Sequence, residues 1–215
     1  MDIKAFIFDM DGLLFDSERI VQRSWEIAGD ELGIPHMGDV IYHTLGMNRA
    51  GRNEYFRKHI REDFPFEEFG KLTRDNFWKI VDKEGLPLKK GAKELLAYGK
   101  EQGYKMAVAT SSSREYAMGN LIRAGIDSYF DNVICGDMVK KAKPDPEIYQ
   151  KACESLGISP ADCMAFEDAP GGILSAHQAG MQVIMVPDLV QPTQEIRELT
   201  YRVCDSLADV IGILN

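Results

Sequence analysis

Ala5-Phe6-Ile7-Phe8 is an unbroken apolar run between Lys4 and Asp9, short enough for a strand buried on both faces. From Lys105 onward, similar short runs alternate with helical stretches. Met106-Ala107-Val108-Ala109, Val133-Ile134, Cys163 to Phe166 and Val183 to Val186 read as strands; Tyr116 to Ala124, Ile148 to Leu156 and Ile173 to Ala179 read as helices. This βαβ rhythm predicts an α/β fold built on a parallel sheet covered on both faces. Residues 16–85 follow another pattern. Val21, Trp25, Ala28 and Leu32 recur at helical spacing and Gly33 stops them, while further helical stretches run from Asn48 to Ile60 and from Phe66 to Val81 with no strand between. The pattern predicts a helical insert, residues 16–85, within a core of residues 1–15 and 86–215. The chain returns to that core through the helix-breaking Glu84-Gly85-Leu86-Pro87.

Composition narrows the partners. Acidic residues outnumber basic ones 34 to 25, for a net charge of -9, which disfavours a nucleic-acid partner because phosphate backbones are bound by basic surfaces. Cys135, Cys153, Cys163 and Cys204 form no CxxC pair and His36, His43, His59 and His177 are scattered, so neither a zinc site nor a disulfide framework is expected. No apolar run approaches the roughly 18 residues of a membrane span, and the N-terminus reads as a charged strand rather than a signal peptide. A soluble, cytoplasmic protein without a membrane partner is expected; the oligomeric state cannot be read from the sequence.

Ligands of open parallel sheets bind at the carboxyl ends of the strands, and four strand ends here carry chemistry. The first run drives into Asp9-Met10-Asp11-Gly12. If the strand alternation continues, Asp9 and Asp11 face one side with stems roughly 6–7 Å apart, close enough to share a divalent cation. Two such charges in a poorly solvated cleft oppose each other's ionisation, so the fold must supply a cation, a lysine or a shared proton. Thr110-Ser111 follows the second run, and Ser112-Ser113-Arg114-Glu115 has the spacing of a capping box, so this segment serves either as an anion site or as an ordinary helix cap. Lys143 lies before Pro144-Asp145-Pro146, where Asp145 can cap a helix that opens at Pro146, and a rigidly held ammonium there can balance carboxylates or hold a phosphate. Glu167-Asp168 ends the fourth run. Asp9, Asp11, Glu167 and Asp168 together carry four negative charges against the one of Lys143, a balance that calls for an oxygen-loving cation of the Mg²⁺ type if the substrate is anionic.

In order, Phe8-Asp9-Met10-Asp11-Gly12, Thr110, Lys143-Pro144 and Glu167-Asp168 resemble the four motifs of the haloacid dehalogenase-like hydrolase superfamily, and the insert resembles its helical cap. The resemblance implies a Rossmann-like core. It implies that Asp9 attacks phosphorus to form an aspartyl-phosphate and that Asp11 is the general acid and base. Thr110 and Lys143 would hold the transferring phosphoryl group, and Ser111 remains the substrate-binding candidate of the anion-site reading above. Mg²⁺ would be held by Asp9, the Asp11 backbone carbonyl and Asp168, with Glu167 nearby. Dehalogenases resemble this motif but lack the second acid, so Asp11 favours phosphorus chemistry. The patterns GxxxxGK[ST] and GxGxxG are absent, which leaves kinase and NAD-dependent readings without support.

Gly46-Met47-Asn48-Arg49 resembles the cap segment of β-phosphoglucomutase-like proteins, where an arginine binds the distal phosphate of the substrate, which makes Arg49 the substrate-binding candidate for a small phosphorylated metabolite. Those mutases also carry a cap histidine at the position occupied here by Val21, and valine donates no hydrogen bond. Asp16-Ser17-Glu18 resembles the hinge of sugar-phosphate and nucleoside-phosphate phosphatases. The expected activity is therefore Mg²⁺-dependent phosphatase. A β-phosphoglucomutase-type isomerase is the alternative, and a non-catalytic phosphometabolite sensor stands third because it has no need of both Asp9 and Asp11.

Overall fold

The structure, a computed structural model, describes residues 3–44 and 49–214, and of Arg49 the backbone alone. It divides into two compact units, Met1–Asp16 with Pro87–Asn215, and Ser17–Leu86.

The first unit is the α/β core. Its six strands are β1 (Ala5–Phe8), β2 (Lys105–Ala109), β3 (Asn132–Ile134), β4 (Cys163–Glu167), β5 (Gln182–Met185) and β6 (Arg202–Val203). They form one parallel sheet in the order β3-β2-β1-β4-β5-β6. β1 is central, which explains why its four residues are all apolar and all buried. Its side chains alternate between two kinds of packing. Phe6 and Phe8 meet Phe166 at 5.2 and 4.8 Å between ring centroids, building an aromatic layer. Ala5 and Ile7 join Ala107, Ala109 and Ala165 on the other face, a low surface against which Ile148, Tyr149 and Ala152 of one helix and Ile173 and Ala176 of another are packed.

Register fixes the height of the strand ends. Phe8 is level with Val108 and with Phe166, so the next residue, Asp9, stands beside Ala109 and Glu167. The connecting helices of this unit are numbered after the four of the insert: α5 (Ala92–Glu101), α6 (Arg114–Ala124), α7 (Glu147–Leu156), α8 (Pro170–Gln178), α9 (Gln194–Leu199) and α10 (Leu207–Leu214). α7 opens one residue later than expected, with Pro146 at its cap position. Asp145 still accepts from the Glu147 N–H at 3.1 Å, so the predicted capping function survives the shift.

Ser17–Leu86 contains only helices among its described residues: α1 (Ser17–Glu31), α2 (Met37–Thr44), α3 (Arg49–His59) and α4 (Phe66–Glu84). Its core is aromatic. Trp25 meets Phe56 and Phe69 edge-on at 5.6 Å each, and Phe64 closes against Phe56 at 4.7 Å. At its base, within the first unit, the chain leaves and returns along one line: Phe15 bridges Leu88 in antiparallel sense and the Asp16 N–H donates to the Pro87 carbonyl at 2.9 Å. No helix among the described residues is long and apolar enough to cross a membrane.

Candidate active site

Asp9 leaves the sheet one residue after β1 and is only 7% exposed. Its Oδ1 accepts from the Lys143 ammonium at 2.6 Å, and the same ammonium donates to Glu167 Oε1 at 2.7 Å and to the Ala109 carbonyl at 2.9 Å. Residues distant in sequence are thus tied together across β2, β1 and β4. Burial opposes the Lys143 charge, but Asp9 and Glu167 outweigh it and hold its pKa above the ordinary lysine value. The ammonium is therefore permanent. Burial is also the largest influence on Asp9, pushing it up to about 7, with Lys143 acting against the rise and the charges of Glu167 and Asp11 adding to it. Asp168 is raised well above the carboxylate range, first by burial and then by Asp9 and Glu167.

These are the signs of a cluster in want of positive charge. One oxygen from each of Asp9, Glu167 and Asp168 can be chosen so that all lie within 4.8 Å of one another. The donor set is hard and oxygen-only, which suits Mg²⁺ rather than zinc or copper. Backbone shape makes room for it. A Cβ at Gly12, whose φ is +84°, would stand 2.4 Å from Asp168 Oδ2, and one at Gly172 would stand 1.8 Å from Glu167 Oε1, so only glycine leaves both carboxylates where they are. The residues fit a divalent cation.

Asp11 keeps different company. Its carboxylate accepts from the Ser112 hydroxyl at 2.7 Å on Oδ2 and from the Tyr116 hydroxyl at 3.0 Å on Oδ1. The expected capping box at Ser112 is corrected accordingly: Ser113 is the residue that caps α6, accepting from the Tyr116 N–H, because the Ser112 hydroxyl is committed to Asp11. Thr110 is buried, and its Oγ1 accepts from the Ser112 N–H at 3.1 Å, which shapes the turn after β2. Ser111 is exposed on the same turn. The structure therefore brings Asp9, Asp11, Thr110, Ser111, Lys143, Glu167 and Asp168 to adjoining strand ends. Arg49 opens α3, but its side chain, with Gly46, Met47 and Asn48, lies outside the described residues; Val21 lies in α1.

Sequence reasoning passes over two tyrosines. Tyr116 stands in the first turn of α6, where only the helix start hints that it returns toward the strand end. Tyr149 lies in α7, in the stripe with Ile148, Ala152 and Cys153, and reads as core. It is core, but its hydroxyl donates to Glu167 Oε1 at 2.5 Å and its ring centroid lies 4.9 Å from the Lys143 ammonium.

A family profile for haloacid dehalogenase-like hydrolases matches residues 3–180. YhcW of Bacillus subtilis, named as a candidate phosphatase, is 34% identical over 97% of this chain and 94% of its own length. A protein of Thermotoga maritima named phosphorylated carbohydrates phosphatase is 32% identical over 85% of this chain and 84% of its own. Among solved structures, a candidate β-phosphoglucomutase of Thermotoga maritima matches with a TM-score of 0.83 and 27% identity, covering 99% of this chain and 98% of that one. With the profile spanning most of the core and the strand-end carboxylates gathered around Lys143, the chain belongs to the haloacid dehalogenase-like hydrolases.

Proposed function

We propose that the protein is a Mg²⁺-dependent phosphatase that hydrolyses a small phosphorylated metabolite, a sugar or nucleoside phosphate, through a phosphoryl-Asp9 intermediate. The observation that carries this reading is the buried Asp9–Lys143–Glu167 group with Asp168 beside it. A charged ammonium held between the Asp9 and Glu167 carboxylates suits a site that receives a dianionic phosphoryl group.

In this reading an Asp9 oxygen attacks phosphorus as the ester P–O bond breaks, and the departing alkoxide takes the proton of the Asp11 carboxyl group. Water then attacks the phosphorus and gives its proton to Asp11. The bond from phosphorus to Asp9 breaks, orthophosphate leaves, and both aspartates return to their starting forms. Lys143, Thr110 and Ser111 hold the phosphoryl oxygens through the sequence. Asp9, Asp168 and the Asp11 carbonyl would hold Mg²⁺, with Glu167 close by. When bound, the cation supplies Lewis-acid polarisation of a phosphoryl oxygen and offsets the charge of the cluster. Residues 16–85 would act as a cap that selects the substrate, with Arg49 contacting its distal part.

The test is steady-state phosphate release from a panel of sugar, nucleotide and polyol monophosphates with Mg²⁺ present. Release from at least one, abolished by Asp9→Asn in a protein that keeps its circular dichroism, is the expected result. A panel with no release sinks the reading. The likeness to the Thermotoga maritima mutase structure keeps one alternative in view: conversion of β-glucose 1-phosphate to glucose 6-phosphate, primed by a bisphosphate, would make the enzyme an isomerase.

A further inference from the structure

Lys143 has three N–H protons and four acceptors in reach. Asp9 Oδ1, Glu167 Oε1 and the Ala109 carbonyl lie at 2.6, 2.7 and 2.9 Å, and the Tyr149 oxygen at 3.4 Å. The three short bonds use every donor the ammonium has. A phosphoryl oxygen can therefore gain a Lys143 hydrogen bond only in exchange for one of them.

The three acceptors differ in what the exchange would leave behind. Among the described residues and without the cation, the Asp9 carboxylate takes a hydrogen bond only from Lys143, whose ammonium also faces its proposed nucleophilic oxygen, and the Ala109 carbonyl has no other side-chain donor. Glu167 is provided for. Its Oε1, the atom that Lys143 holds, also accepts from the Tyr149 hydroxyl at 2.5 Å, and its Oε2 accepts from the Asp168 N–H at 3.2 Å. Stripping a buried carboxylate of its last donor is costly, whereas removing one of several is much less so.

We propose that Tyr149 is a positioning residue for Lys143: by holding the shared Oε1 of Glu167, its hydroxyl lets the ammonium release that oxygen and turn one N–H to the phosphoryl group. The inference rests on Lys143 being a phosphoryl ligand in the reading above. The cation–π contact at 4.9 Å keeps the ammonium over the ring while the partners change. Without the hydroxyl, Lys143 becomes the only side chain that bonds the Glu167 carboxylate among the described residues and stays bound to it.

The test compares the Mg²⁺-loaded wild-type protein with Tyr149→Phe, which keeps the ring, its packing and the cation–π contact and removes only the O–H. Dissociation constants for inorganic phosphate and orthovanadate are measured by calorimetry, beside kcat, KM and the melting temperature with and without Mg²⁺. The expected result is a loss of about tenfold in phosphate and vanadate affinity, the size of one hydrogen bond to a charged group, with kcat falling and the Mg²⁺-induced rise in melting temperature unchanged. A folded Tyr149→Phe protein that melts lower but binds phosphate as the wild type does would overturn the inference and leave Tyr149 a packing residue. If the wild type itself binds neither anion and releases no phosphate from any monoester, the phosphatase reading falls instead.

Discussion

The Tyr116 hydroxyl donates to Asp11 Oδ1 at 3.0 Å across a sequence separation of 105 residues, while Ser112 holds the other oxygen of that carboxylate. Asp11 is thus anchored from α6 and the turn before it, independently of the Lys143 cluster that holds Asp9. Tyr116→Phe releases one oxygen of Asp11 without removing any group proposed to hold Mg²⁺ or phosphate. Its kcat on a sugar phosphate is expected to fall about three- to tenfold with phosphate affinity unchanged. The fall should be smaller on p-nitrophenyl phosphate, whose leaving group needs no proton. Equal losses on both substrates would count against Asp11 as the acid.

If the strand-end carboxylates hold the proposed cation, its binding is linked to pH. Asp9 has its pKa raised from 3.8 to about 7 in the metal-free fold, above its unfolded value, so its contribution to stability is present below 3.8 and is lost as the pH rises through about 7. In the proposed reading Mg²⁺ would bind the ionised form and reverse that loss. In thermal melts, millimolar Mg²⁺ should raise the melting temperature more at pH 8 than at pH 5.5, and EDTA should abolish both the rise and the phosphatase activity. A shift that is equal at the two pH values would exclude these carboxylates as the ligands.

Gly172 lies in α8 with its Cα hydrogens facing the Glu167 carboxylate. A methyl group there would stand about as close as a covalent bond, 1.8 Å from Oε1, and Glu167 cannot swing aside without leaving Tyr149 and Lys143. Gly172→Ala should cost roughly 2–4 kcal/mol in urea unfolding, as overpacking and a broken buried ion pair combine. Gly171→Ala is the control, because a Cβ at that position meets nothing within 4 Å.

Asp131 gives a second pH handle, away from the site. Burial disfavours its charge, but the Met106 N–H and Lys105, both at 2.9 Å, outweigh burial and hold its pKa below 3.8. With the folded pKa depressed, its stabilisation is present above 3.8 and disappears as the pH falls through the folded value. Asp131→Asn should therefore destabilise the protein at pH 7 by about 1 kcal/mol, a figure reduced for its partial exposure, and the difference should shrink toward zero near pH 2.

The sequence makes the sheet and most of the strand-end groups visible because each announces itself locally. Apolar runs of four residues mark β1, β2 and β5, and Asp9, Lys143, Glu167 and Asp168 each sit next to such a run or to a proline-fixed turn. What stays hidden is pairwise. The alternation that would set Asp9 and Asp11 to one task stops at Phe8, where β1 ends, and the two carboxylates take up separate partners. Tyr116 and Tyr149 carry no local mark, since a tyrosine in an amphipathic helix looks the same whether or not its hydroxyl meets a carboxylate. β6, with only Arg202–Val203, is too short to form a pattern.

The antiparallel Phe15–Leu88 bridge makes residues 17–86 a loop already closed at its base by backbone pairing. The closure entropy of an inserted segment depends on bringing its ends together, and here the pairing of Phe15 with Leu88 and of Asp16 with Pro87 in the sheet unit holds those ends side by side. Asp9, Asp11, Lys143, Glu167 and Asp168 all belong to the unit that holds those ends. A graft that exchanges only the residues between Asp16 and Pro87 therefore leaves each of these carboxylates and its anchor untouched, so that the insert can be replaced at two adjacent junctions while the strand-end chemistry is inherited whole.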